Sequence, residues 1–372
     1  MMRKMHILLA LHLFVLCVFT SSVPTILDTD IGTAFDDQLA LTFMLARPDL
    51  FDIKLIICST SNTTARAQIV AKTLSIFKRF DIPIGIGQYK DDDNHVYEYR
   101  WSEDYSLDQF KKDGGLVFLD GEQALFDEMN KASADNIYHY IQIAPSTSLG
   151  NVLQRQPSLS TYMKLFAMGG SIYSGYENSS SPSREYNIYY DTPASQIMFS
   201  SNWTYFSLST LDCTNFMQFY GPLWKNFLSH RSSSRIVNMV IESFTIWYND
   251  GGKILPSTLP YTPELGTPEM YDALAAYLAS IYTSVKPAVL TFLPLFVTDD
   301  GYTRENQTLN RKIDACLKFE TSDPYISTEQ IGSFILESII RANPNTNEGH
   351  CLSSNMYFLI FLLINIFYIV MV

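Results

Sequence analysis

A short apolar run that ends in four carboxylates within ten positions has few places to go in a folded chain. Residues 23–45 read VPTILDTDIGTAFDDQLALTFML, with Asp28, Asp30, Asp36 and Asp37 as those acids. Residues 25–27 (TIL) predict a buried strand, Gly32 a turn, and residues 39–45 a helix packed on a sheet. The acids therefore gather at the carboxyl end of a strand, the edge where open α/β sheets bind ligands. Carboxylates crowded there repel one another unless a cation, a proton or a helix N-terminus compensates. Oxygen donors without nearby His or Cys favour Ca²⁺ or Mg²⁺ over zinc. The alternative is a solvated acidic turn that caps the helix.

The rest of the chain fits the sheet that this opening demands. Predicted strands at 51–58, 82–86, 137–144, 165–168 and 206–211 alternate with predicted helices at 64–80, 123–133 and 193–199, the last capped by Asp191. Residues 88–115 read as a long loop placed to cover the acids. Two strands over 289–296, a loop at 299–301 and a closing helix at 328–341 complete the chain. No repeat or linker interrupts residues 23–340, so the expectation is one α/β domain with a doubly wound, mostly parallel sheet flanked by helices. With 372 residues, 47% of them hydrophobic, a core of that size can be filled. A net charge of −12 argues against a nucleic-acid partner but not against an uncharged nucleoside.

Both ends carry targeting patterns. MMRKMH followed by ILLALHLFVLCVF and small residues reads as a secretory signal peptide over 1–22, cleaved near Ser22; a membrane anchor is the alternative. At the other end, residues 344–372 combine a polar spacer with the uncharged tail MYFLIFLLINIFYIVMV. That is the pattern of a glycosylphosphatidylinositol attachment signal, with Asn345 or Asn347 as acceptor, or else a membrane-spanning tail. The expected location is the cell surface, reached through the secretory pathway. Four sequons, at Asn62, Asn178, Asn202 and Asn306, are then candidates for glycans. Outside the two end segments only Cys58, Cys213 and Cys316 remain, so at most one disulfide forms.

Several later residues bear polar chemistry that the core does not need. Thr147 follows a strand into a Pro turn whose carbonyls face the acidic edge, and Asp272 stands at the head of an apolar helix. Glu185 and Asn187, two positions apart, share one side of an extended segment and suit a vicinal diol. Trp247, Tyr248 and Tyr261 are stacking candidates or plain core.

Taken in order, DTDIG…DD at 28–37, STSNTT at 59–64, APSTSLGN at 144–151, MGG at 168–170, REYNIYYDTPA at 184–194, LDCT at 211–214 and MYDALA at 270–275 resemble the inosine–uridine-preferring nucleoside hydrolase family. The resemblance spans residues 23–343 and implies a Rossmann-like hydrolase fold. It also implies an enzyme that cleaves the N-glycosidic bond of ribonucleosides with water, with Ca²⁺ as cofactor, and that assembles as a homo-oligomer. On matching positions it implies Asp30 as general base and metal ligand, with Asp37, Asp272 and the Thr147 carbonyl completing the metal set. It puts Asp36, Asn62, Glu185 and Asn187 on the ribose and Asp28 in support. Asn62 is then a site residue rather than a glycan acceptor.

Two departures follow from the same alignment of motifs. The turn at 33–35 is two residues longer than in the best-known members. Tyr271 stands where the family has a histidine that protonates the leaving base, and a phenol is a far weaker acid. Activation of the base then falls to ring stacking or to His95 or Trp101 of the 88–115 segment. A catalytically silent protein that binds a nucleoside or another ribosyl ligand is the alternative.

Overall fold

The computed structural model describes residues 22–90, 95–280 and 288–342. The expected leader and tail, Asn345 and Asn347 lie outside the described residues. Among the described residues no helix is long and apolar enough to cross a membrane.

The described residues hold eleven strands: β1 (Val23–Thr29), β2 (Phe51–Cys58), β3 (Ile84–Ile86), β4 (Val117–Phe118), β5 (Tyr138–Ile143), β6 (Met163–Met168), β7 (Tyr205–Ser209), β8 (Ala288–Leu293), β9 (Leu295–Val297), β10 (Thr303–Glu305) and β11 (Ile313–Phe319). Nine of them form one sheet in the order β4-β3-β2-β1-β5-β6-β7-β11-β8. Every pairing in it is parallel except that of β8 with β11. β9 and β10 make a separate antiparallel pair. The chain winds outward from β1 to β4 and then returns to β5 on β1's other side. That reversal leaves a crevice at the carboxyl ends of β1 and β5, where sheets of this kind bind ligands.

Side-chain alternation explains why both faces are covered. Ile26 and Leu27 on β1, and Tyr140 and Ile141 on β5, enter two different apolar clusters on opposite sides of the sheet. Six helices matter for the site: α1 (Asp36–Ala46), α2 (Thr63–Phe77), α3 (Thr147–Arg155), α4 (Arg235–Asp250), α5 (Tyr271–Ser280) and α6 (Pro324–Arg341). α5 is apolar on all sides and almost wholly buried, between α1 and strands β5 to β7. Its position brings a late part of the sequence against the first turn.

The structure departs from the sequence reading at several places. Residues 88–115, expected as a loop, carry two short helices, Tyr99–Ser102 and Leu107–Lys112. Phe110 is fully buried there, so apolar anchoring outweighs the polar composition. α1 starts at Asp36, so both late acids of the opening run sit in its first turn, where free N–H groups favour them. α4 and β11 are additional to the elements predicted from the sequence. Among the described residues Cys213 and Cys316 form the one disulfide, and Cys58 is buried and free.

Candidate functional site

The alternation that fills the two cores also sorts the acids. Asp28 points to the Tyr140 side of β1: its Oδ2 accepts from the Tyr140 hydroxyl at 2.9 Å and its Oδ1 from the Ser59 hydroxyl at 2.5 Å. Ser59 also lies 2.8 Å from the Ser148 hydroxyl, which joins the ends of β1, β2 and α3. Thr29 turns the other way and donates to Asp37 Oδ1 at 2.5 Å. Asp30 follows the last strand residue. Gly32 then turns the chain with φ of +108°, and a Cβ there would lie 2.6 Å from Val96 Cγ1 and 2.7 Å from Ile69 Cδ1, so only glycine fits.

The longer turn that follows is held from outside. Phe35 stacks on Phe244 of α4 at 4.5 Å, and the Trp247 indole donates to the Thr33 carbonyl at 2.9 Å. Trp247, a stacking candidate by sequence, is fully buried and fixes this turn instead. Arg66 of α2, which carries no sequence signal, reaches the same turn with a fully buried guanidinium.

α5 brings in the remaining acid. Carboxylate oxygens of Asp36, Asp37 and Asp272 lie within 4.8 Å of one another, all buried. Burial pushes Asp36 up to about 7, reinforced by the charge on Asp30. Asp37 and Asp272 are pushed well above the carboxylate range by burial and then by their acidic neighbours. Asp30 rises to about 6 because burial outweighs the opposing pull of Arg66. Asp36 Oδ1 is buried with no hydrogen-bond partner. An orphaned acceptor within a knot of oxygen donors fits a hard cation, and the lack of nitrogen or sulfur donors fits Ca²⁺ or Mg²⁺.

The sugar-side candidates converge from β6. Glu185 accepts from the N–H groups of Gly170, Asn187 and Ile188 at 2.9, 2.9 and 3.1 Å. It thereby caps the short helix Tyr186–Tyr189 and orients Asn187, whose Nδ2 reaches the Met168 carbonyl at 3.3 Å. Burial raises Glu185 to about 7, and the Asp30 charge adds to the rise. Asp212, of the LDCT segment, accepts from the N–H groups of Ile172, Tyr173 and Ser174 and pins the loop after β6.

The remaining candidates lie on other elements. Thr147 opens α3 and its hydroxyl donates to Asp191 at 2.7 Å. Asn62 is exposed and caps α2, with Oδ1 accepting from Ala65 N–H at 3.0 Å. His95 is exposed and lies against Tyr97, with ring centroids 5.6 Å apart. Trp101 is buried beneath the Lys72 ammonium, 4.6 Å from its ring, so it serves packing against α2. Asn178 and Asn202 are exposed, and Asn306 is half-buried, its Oδ1 taken up by Thr308.

Tyr271 does meet the site. Its ring is half-buried, edge-on to Tyr176 at 6.3 Å, and burial lifts its phenol far above the ordinary tyrosine range. Glu269 and Asp36 add to that lift. Tyr176 escaped the sequence reading; it lies in a Ser-rich loop with no pattern to mark it. Its hydroxyl accepts from Tyr186 N–H at 2.9 Å.

Comparison with known proteins agrees with this fold. Residues 25–322 match the family model described as inosine-uridine preferring nucleoside hydrolase. The pyrimidine-specific ribonucleoside hydrolase RihA of Salmonella typhimurium is 27% identical over 62% of this chain and 73% of its own length. An inosine-uridine preferring nucleoside hydrolase from Bacillus anthracis superposes with a TM-score of 0.61 at 12% identity, covering 84% of this chain and 99% of that one. An inosine-guanosine nucleoside hydrolase gives 0.63 at 15% identity, covering 84% and 98%.

Proposed function

The chain belongs to the inosine–uridine preferring nucleoside hydrolase family and hydrolyses N-glycosyl bonds, and from that premise we propose a Ca²⁺-dependent ribonucleoside hydrolase of the cell surface. The observation that carries the cofactor is the buried knot of Asp36, Asp37 and Asp272 with its orphaned Asp36 oxygen. Asp30 and the Thr147 carbonyl are the further ligands. A bound Ca²⁺ supplies charge that offsets the carboxylates and lowers the pKa of the attacking water.

The chain's own groups do the remaining work. Asp30 accepts the proton from water as its oxygen attacks the anomeric carbon. The bonding electrons of the glycosidic bond leave with the base nitrogen, and the positive charge that builds on the ribosyl ring faces a site lined with carboxylates. Asp36 and Asn187 bind the ribose hydroxyls, with Glu185 holding Asn187 in place; Asn62, exposed at the head of α2, is the further ribose candidate. Tyr271, whose phenol holds its proton tightly, is a hydrogen-bonding and packing group rather than an acid, and Tyr176 packs beside it.

Secretion fits the Cys213–Cys316 pair, a bond that oxidising compartments favour. Anchoring through a glycolipid predicts release from cells by a phosphatidylinositol-specific phospholipase; retention refutes it. A second reading, a silent binder of ribosyl ligands, draws on Tyr271 in the place of the acid. Reducing-sugar release from a panel of purine and pyrimidine ribonucleosides, with and without a calcium chelator, decides between them. Turnover that the chelator abolishes and Ca²⁺ restores supports the enzyme, and nucleoside binding with no turnover supports the binder.

A further inference from the structure

Arg66 is a fully buried cation that forms no hydrogen bond to a carboxylate among the described residues. Its Nε donates to the Thr60 carbonyl at 2.9 Å, and Nη1 donates to the carbonyls of Asp30 and, at 2.8 Å, Ile31. Nη2 donates to the Thr33 hydroxyl at 3.1 Å. One guanidinium thus clips the turn after β1 to the turn after β2. The second turn needs a clip, since Thr60 and Ser61 hold left-handed backbone at φ of 65° and 53°. A bare buried charge is costly unless something nearby offsets it. Here the guanidinium is bonded to the backbone of Asp30 itself, which sets its charge beside the acidic cluster.

We infer that Arg66 is the resident countercharge and positioning residue of the acidic site, holding the turn at 30–33 through its carbonyls and offsetting the negative charge of Asp30 and Asp37 when no cation is bound. The inference rests on the reading of those acids as a Ca²⁺ site. A planar fork with five donors spans the two turns, whereas a lysine retains the charge but not the fork.

Thermal melts of the full chain, each in chelator and in saturating Ca²⁺, separate charge from mere anchoring. Arg66→Met widens the gap between the two melting temperatures by on the order of 5 °C beyond that of the unsubstituted protein. Arg66→Lys melts lower in both conditions but keeps the original gap. Adding Asp37→Asn raises the chelator-state melting temperature of Arg66→Met more than it raises that of the unsubstituted protein. Equal losses in both conditions for Arg66→Met, with no extra gain from Asp37→Asn, overturn the inference. If Ca²⁺ shifts nothing in the unsubstituted protein, the calcium reading fails, and the Asp37→Asn comparison in chelator still decides the role of Arg66. Should Arg66→Met yield no folded protein, recovery by Asp37→Asn supports the countercharge, and no recovery refutes it.

Discussion

The two halves of this site are built by different means. On the acid and ribose side, carboxylates are tied to backbone or to buried hydroxyls: Asp28 to Ser59 and Tyr140, Asp37 to Thr29, Glu185 to three N–H groups. On the side proposed for the base, Tyr271 and Tyr176 meet edge-on, positioned by ring packing and by one hydrogen bond from Tyr186 N–H. A half fixed by charged hydrogen bonds is preorganised for developing charge. A half fixed by ring edges tolerates bases of different shape and supplies little acid.

That contrast can be broken at its strongest point first. Asp30→Asn lowers kcat by roughly 10³-fold, the scale of a lost general base, as measured by reducing-sugar release. Unchanged turnover removes Asp30 from that role. Next, a 2′-deoxyribonucleoside loses about 10²-fold or more in kcat/KM against its ribonucleoside, because Asp36 and Asn187 are left without hydroxyl partners. Equal turnover of inosine and deoxyinosine contradicts the ribose assignments.

Behind the acidic turn lies a third test. Glu98, whose N–H donates to the Gly32 carbonyl at 3.1 Å, is fully buried and neither carboxylate oxygen has a well-formed hydrogen bond. Burial pushes it up to about 8, against an opposing pull from the Ser243 hydroxyl. A carboxyl raised in the folded state is neutral and harmless below its unfolded pKa of about 4.3, and costs stability as pH climbs toward 8. Glu98→Gln therefore leaves the melting temperature unchanged near pH 4 and raises it at pH 8, where the stability gained is up to about 5 kcal/mol. A pH-independent difference refutes the buried-acid account.

The smallest effect is expected where the two halves meet. Tyr271→Phe changes kcat within about threefold, whereas loss of a working general acid costs ~10²-fold or more. A large loss that follows a basic-limb pH profile makes Tyr271 the acid after all and erases the contrast.

Most of the acidic half was legible in the chain. The spacing of Asp28, Asp30, Asp36 and Asp37 after an apolar strand located the sheet edge, because strand alternation and the turn at Gly32 are local properties. The alternating strands and helices predicted the parallel sheet for the same reason. Arg66, Tyr176 and the burial of Trp101 were not legible. Arg66 looks like any polar residue on a helix, and its meaning depends on carbonyls some 35 positions earlier. The two short helices at 99–112 form because Trp101 and Phe110 find apolar neighbours far away in sequence.

By itself, then, the sequence determined the alternation that buries β1 on both faces, the acids at its end and the family to which the ordered segments belong. Only the tertiary structure decided that α5 carries Asp272 to within 4.8 Å of Asp36 and Asp37, and that Tyr176 joins Tyr271 beside them. The reason is physical: periodicity and turn chemistry act over a few residues, whereas the juxtaposition of charges is set by how helices pack across a sheet, and that packing is a property of the whole core.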